Sequence, residues 1–277
     1  MLGVAPNGAR RTKADHPALP MTPAEVARAA AACRDAGAAL LHLHVRDAQG
    51  RHTLDVEAYR DATAAVRRAV GDGLIVQVTS ESVGRYGPDE QMAMVRALKP
   101  EAVSLAVSEL IPDPSHESRA AGFLHWLAGE AILPQYILYT PDQVAGFVDL
   151  RRRGIIPGDR VFVLYVLGKY AADGRSRPAD LLPYLATPDS RREHWALCAF
   201  GPREQACAIT AAALGGHARV GFENNLYLAD GSPAPDNAAL VAQVAAGVRG
   251  LGRPLADAHA ARALLSAPVS APRSVPA

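Results

Sequence analysis

Cysteine is scarce in this 277-residue chain, and its three thiols, Cys33, Cys198 and Cys207, are scattered without C-x-x-C spacing. An odd, dispersed set supports neither a disulfide framework nor a thiolate-rich zinc site. Long apolar runs are lacking as well, since none approaches the roughly 20 residues that span a bilayer. No basic-then-apolar leader opens the sequence, so the expected location is the cytoplasm. Excess charge of one sign is missing: 29 Lys and Arg against 28 Asp and Glu leave a formal net charge of +1. That balance gives no basis for nucleic-acid binding or for attraction to an anionic membrane. Nothing like G-x-G-x-x-G follows the first apolar segment, which argues against a dinucleotide-binding doubly wound sheet.

What is present is a regular alternation of apolar segments and helical patterns. The length suffices for one large core, and the share of charged residues, 21%, is ordinary for a soluble enzyme. Strands are expected at 2–5, 38–44, 74–78, 102–107, 132–139, 161–167, 195–200 and 218–222. Helices are expected at 22–36, 55–70, 88–98, 115–127, 141–152, 179–185, 203–214, 236–248 and 256–265. The first helix has a clear start, with Thr22 as cap, Pro23 in the first helical position and Glu25 where a capping box needs its acid. Eight strands, each followed by a helix, are the repeat of a (β/α)8 TIM barrel. Residues 1–265 are therefore read as one barrel domain. The Pro-, Ser- and Ala-rich stretch 266–277 is read as a disordered tail, and the Gly- and charge-rich loop 168–177 as mobile.

In such a barrel, functional groups gather at the C-terminal ends of the strands. The most pointed cluster there is His42-Leu43-His44-Val45-Arg46-Asp47. Residues two apart on a strand face the same way, so His42 and His44 project together while Leu43 faces the other side. Two imidazoles side by side in a buried place need a partner, and a metal ion supplies one. H-x-H needs a third ligand from elsewhere in the chain. Glu223, at the end of the eighth strand, is two seats from the second strand around a closed barrel and completes a two-His, one-carboxylate set. The competing reading is a structural ion pair between Glu223 and Arg219, four residues earlier.

With these pieces in place, the chain resembles the β-keto acid cleavage enzymes, the family of 3-keto-5-aminohexanoate cleavage enzyme. The likeness runs from Ala5-Pro6-Asn7-Gly8-Ala9 to Gly252-Arg253-Pro254-Leu255-Ala256, and is most specific in His42 to Arg46 and in Gly215 to Asn225. It implies a (β/α)8 barrel that forms a homo-oligomer, with a tetramer favoured. The ligands would be His42, His44 and Glu223, holding Zn2+ or another divalent transition metal. It further implies a reaction in which a β-keto acid and the CoA thioester acetyl-CoA give acetoacetate and a new acyl-CoA. Arg219 matches the family's arginine that works with the general base. Thr79, Ser80 and Ser108 match hydroxyl positions around substrate, although Ser and Thr at such places also cap helices.

The departures from the family are equally informative. Where the family has an aspartate as general base, directly after the glutamate ligand, this chain has Asn224, which accepts no proton at neutral pH. Glu81 and Glu109, each after a strand, are the alternative carboxylates for that role; Glu81 falls where the family commonly runs through glycines. Two acidic positions that meet a substrate amino group appear here as Arg10 and Ile137. The expected substrate is therefore not a cationic amino-keto acid, and Arg10 suits an anionic or polar distal group, unless it is solvated beside Arg11 and Lys13. Lys169, Arg175 and Arg177 are a place where a CoA phosphate could rest, although charged loops are usually just solvated. Two other readings stay open from the residues alone: a zinc hydrolase or aldolase on the same barrel, and a metal-binding protein without turnover.

Overall fold

The computed structural model describes residues 1–169 and 174–266. The expected tail from 267 onward and four residues of the 168–177 loop lie outside the described residues. The strands are β1 (Leu2–Val4), β2 (Leu40–Leu43), β3 (Ile75–Thr79), β4 (Ala102–Ala106), β5 (Leu133–Leu138), β6 (Phe162–Leu167), β7 (His194–Ala199) and β8 (His217–Val220). All pair in parallel, in chain order, and β8 returns to β1 to close the barrel. The helices are α1 (Pro23–Ala36), α2 (Val56–Val70), α3 (Pro88–Leu98), α4 (Val107–Leu110), α5 (Glu117–Gly129), α6 (Pro141–Arg152), α7 (Leu182–Ala186), α8 (Glu204–Ala213), α9 (Asn237–Gly250) and α10 (Ala258–Ser266).

Local chemistry explains where these elements begin and end. At α1, the Thr22 hydroxyl accepts from the Glu25 amide at 3.3 Å and the Glu25 carboxylate accepts from the Thr22 amide at 3.1 Å. Gly37, with φ +115°, closes the helix in the left-handed region, where a side chain would be strained. Asp55, Thr140 and Asp236 cap α2, α6 and α9 in the same manner, each accepting a backbone amide on its side-chain oxygen.

Strand alternation splits the core into two layers. Leu41, Leu43, Val76, Val78, Val103, Leu105, Tyr136 and Leu138 face outward and join the helices in the main apolar layer. Leu40, Ile75, Ala102, Ile137, Phe162, Leu164, Val166 and Ala196 fill the barrel interior. Several interior positions are polar instead: His42, Gln77, Thr79, Ser104, Gln135 and Arg219 are all buried. A run of inward polar side chains at the C-terminal mouth marks the functional face.

Several boundaries differ from the sequence-based expectation; β2 ends at Leu43, so His44 lies just past the strand. β4 ends at Ala106, where the chain turns at once into the helical turn α4, so Ser108 and Glu109 do not extend the strand. β8 ends at Val220, which places Glu223 in the following turn rather than on the strand. The helix expected at 115–127 is a 3-10 turn, Pro114–His116, leading into α5.

Candidate metal centre and active site

His42 stands on β2 opposite Gln77 on β3. Its Nδ1 lies 2.9 Å from Gln77 Oε1, while Gln77 Nε2 donates to Gln135 Oε1 at 3.1 Å. The amide chain fixes the direction: Gln77 offers an oxygen to the ring, so Nδ1 carries the proton and Nε2 keeps its lone pair. Burial, then the positive charge of Arg219, hold His42 well below the ordinary imidazole range, so the ring is neutral. His44, just past the strand end, brings its Nε2 within 3.0 Å of His42 Nε2. Removing an outer-shell hydrogen bond of this kind costs about 10–100-fold in metal affinity. Gln77→Leu is expected to show that loss in a chelator-competition titration, and an unchanged affinity would separate Gln77 from the site.

Glu223 arrives from the other side, on the turn after β8. That turn is braced from behind: the Gly221 amide donates to Glu204 Oε1 at 3.0 Å, and the Phe222 amide to Asn237 Oδ1 at 2.8 Å. The β1–α1 loop closes over it. A Cβ at Gly8, whose φ is +59°, would lie 2.6 Å from Glu223 Cγ, so only glycine permits this approach. Arg46 holds the loop in place by donating to the carbonyls of Asn7, Gly8 and Arg11.

The Glu223 carboxylate has two roles, one per oxygen. Oε1 accepts from Arg219 Nη2 at 3.2 Å. Oε2 makes no hydrogen bond, yet lies 3.5 Å from His42 Nε2 and 3.6 Å from His44 Nε2. Burial alone would raise this carboxyl, but Arg219 and the two histidines outweigh it and hold it well below the usual carboxylate range. The ion pair with Arg219 and the approach to the histidines therefore coexist. The donor atoms of His42, His44 and Glu223 all lie within 4.8 Å of one another. Bonds of roughly 2.0–2.2 Å in a tetrahedral arrangement put ligand atoms about 3.3–3.6 Å apart. Two imidazole nitrogens and an unbonded carboxylate oxygen at these separations fit one divalent cation, to which four-coordination would leave a further position.

The cavity beside this cluster has a polar side and an apolar side. Thr79, Ser104, Glu81, Lys169 and Arg219 line the first; Ala106, Ile137, Tyr139, Val166 and Phe200 line the second. Glu81 Oε1 accepts from Arg10 Nη1 and from Lys169 Nζ, each at 3.1 Å, while Oε2 stands 4.0 Å from His44 Nε2. Burial pushes the Glu81 carboxyl up, but its neighbours His44, Lys169 and Arg10 bring it below its ordinary value. It is a carboxylate at neutral pH.

The sequence-derived site residues separate into those the fold brings together and those it sets apart. His42, Glu223, Arg219, Glu81 and Thr79 meet at the cavity, Ile137 stands on its wall, and His44 joins the cluster from behind, within 3.0 Å of His42 Nε2. Arg10 is exposed at the rim, tied to Glu81. Ser80 points outward, where its hydroxyl donates to Gln91 Oε1 at 3.1 Å, because it is one residue out of phase with Thr79. Ser108 lies exposed on α4, facing a groove against α6 rather than the cavity. Glu109 is drawn away too: its Oε2 accepts from the Ser82 amide at 2.8 Å, and burial raises its carboxyl. Asn224 is fully buried with neither amide atom hydrogen-bonded, and it does not line the cavity. Of the three basic loop residues, Lys169 turns into the cavity, whereas Arg175 and Arg177 are exposed.

Two contributors escaped sequence reasoning. Ser104 lines the cavity with a buried hydroxyl that makes no hydrogen bond; counting inward positions back from Ala106 on β4 would have found it. His52 packs its ring 5.0 Å from His44 and donates from Nε2 to the Glu81 carbonyl at 3.0 Å. No spacing in the sequence announces it.

A family model described as beta-keto acid cleavage enzyme matches residues 1–266. The 3-keto-5-aminohexanoate cleavage enzyme of Acetoanaerobium sticklandii is 31% identical over 267 residues, covering 93% of this chain and 94% of the relative. The 3-oxoadipate:acetyl-CoA acetyltransferase of Cupriavidus necator is 31% identical over 277 residues, covering 97% and 95%. Among solved structures, apo ObcA superposes with a TM-score of 0.71 at 16% identity, covering 90% of this chain and 65% of that one. That likeness speaks to the fold alone.

Proposed function

Since the chain belongs to the β-keto acid cleavage enzyme family, a family of carbon–carbon-cleaving transferases, we propose that it converts a β-keto acid and acetyl-CoA into acetoacetate and a new acyl-CoA. The observation that carries this reading is the unbonded Glu223 oxygen facing two imidazole nitrogens at the cavity floor. In the overall exchange, the substrate's bond between keto carbon and α-carbon breaks. The keto carbon, with its side chain, ends on the CoA sulfur, and the two-carbon carboxylate fragment ends on the acetyl carbonyl.

His42, His44 and Glu223 would hold zinc, or another divalent transition metal, which would supply Lewis acidity to the substrate's keto oxygen and carboxylate. The chain's own groups supply the rest. The Thr79 and Ser104 hydroxyls face the cavity as donors to the substrate carboxylate. Glu81 Oε2, the carboxylate oxygen turned toward the ligands, takes the α-proton in place of the amide Asn224. Arg219 keeps Glu223 ionised and adds positive charge where the enolate develops. An ammonium-bearing substrate is disfavoured, because Lys169 and Arg10 already place two cations around a single carboxylate.

The test is a panel of β-keto acids incubated with and without acetyl-CoA, read as acetoacetate and acyl-CoA formed. Equal amounts of the two products, strictly dependent on the thioester, are expected. Cleavage of a β-keto acid without acetyl-CoA would contradict the proposal and point to hydrolysis or aldol chemistry instead.

A further inference from the structure

Resting on that proposed function, we infer that Lys169 and Arg10 form a subsite for a second carboxylate, so that the preferred substrate is a β-keto dicarboxylic acid. Lys169 stands two residues beyond β6 and Arg10 on the loop after β1, and they reach the same atom from different sides. Each cation lies 3.1 Å from Glu81 Oε1, and Glu81 Oε2 is turned away toward His44. One carboxylate thus faces two cations. Among the described residues, no other acid comes within ion-pair distance of either. Glu109, whose carboxyl also feels the charge of Lys169, has its Oε2 engaged by the Ser82 amide. The pair therefore carries a surplus positive charge.

Lys169 is largely sheltered, with 17% of its side chain accessible, and its Nζ lies 5.2 Å from the centre of the Tyr139 ring. A sheltered ammonium with half a counter-ion is a receptor for an anion. The same cavity carries the ligand cluster and an apolar wall of Ile137, Tyr139 and Val166, which suits methylene groups. A β-keto acid bearing a short alkyl chain and a terminal carboxylate matches this set of neighbours. The exposed Arg175 and Arg177 remain outside this subsite.

The experiment compares kcat/KM for a β-keto dicarboxylic acid with that for the alkyl β-keto monoacid of equal length. The native enzyme is expected to favour the diacid by roughly 10–100-fold, the range of a charge-assisted contact. In Lys169→Met the ratio falls toward unity, mainly through the KM of the diacid, and Lys169→Arg restores most of it. Arg10→Gln, an exposed change, lowers the ratio less and guards against a folding defect at position 169. Calorimetry with unreactive glutarate against butyrate reads the subsite without turnover, and tighter glutarate binding lost in Lys169→Met is expected. If both acids are turned over equally and the ratio ignores position 169, the subsite is wrong while the proposed reaction stands. If neither is turned over yet glutarate binding depends on Lys169, the subsite stands and the proposed reaction falls.

Discussion

Glu223→Gln loses metal binding and turnover together, and it also unfolds more readily than the native chain without metal. The two effects have different causes. The amide removes an anionic ligand from a set of three, so affinity falls further than the ~10–100-fold expected for losing an outer hydrogen-bond partner. It also strips the counter-ion from Arg219, which is 4% exposed and, among the described residues, has its other side-chain hydrogen bond to Cys198 Sγ at 3.5 Å. Leaving a buried charge unpaired costs about 3–5 kcal/mol. His44→Ala separates the two, because it removes a ligand but leaves the Arg219–Glu223 pair intact. Metal titration and thermal unfolding of the metal-free proteins check both parts. The prediction fails if Glu223→Gln still binds metal as the native chain does, or melts at the native temperature.

Glu81→Gln lowers kcat by about 10²–10⁴-fold, the range for a general base, while metal stoichiometry stays at the native value. The reason is positional: Glu81 is the carboxylate on the cavity wall that is not itself a proposed ligand, and its ionised form is favoured by Lys169, Arg10 and His44 against the cost of burial. Glutamine keeps the size and loses the proton acceptor. Glu81→Asp recovers part of the rate, which a merely structural role would not require. Glu109→Gln costs little, since its amide oxygen still accepts from Ser82. Single-turnover rates on the four proteins decide the matter, and native turnover by Glu81→Gln would move the proton elsewhere.

Much of this architecture was legible beforehand because it rests on local rules. The Thr22-Pro23-Glu25 start of α1, the H-x-H alternation on β2 and the eightfold strand–helix repeat all follow from periodicity and capping. Phase is what the sequence does not show. Ser80 and Ser108 match hydroxyl positions of the family, but the pleat turns Ser80 outward and the early end of β4 lifts Ser108 onto a helix. Ser104 shows the same rule from the other side, since it belongs to the inward set that Ala106 closes. Arg219 and Glu223 posed a choice between ion pair and ligand that the fold dissolves by assigning one carboxylate oxygen to each. The role of Lys169 depends on a contact 88 residues away in the chain, with Glu81, and no local pattern encodes that.

The central claim is that one divalent ion is shared by His42, His44 and Glu223. Anomalous X-ray scattering from crystals of the native protein grown with zinc measures this directly. One peak per chain is expected, roughly 2.0–2.2 Å from both Nε2 atoms and from a Glu223 oxygen. A cavity floor without a peak in zinc-saturated protein, or a peak held by other residues, would contradict the account.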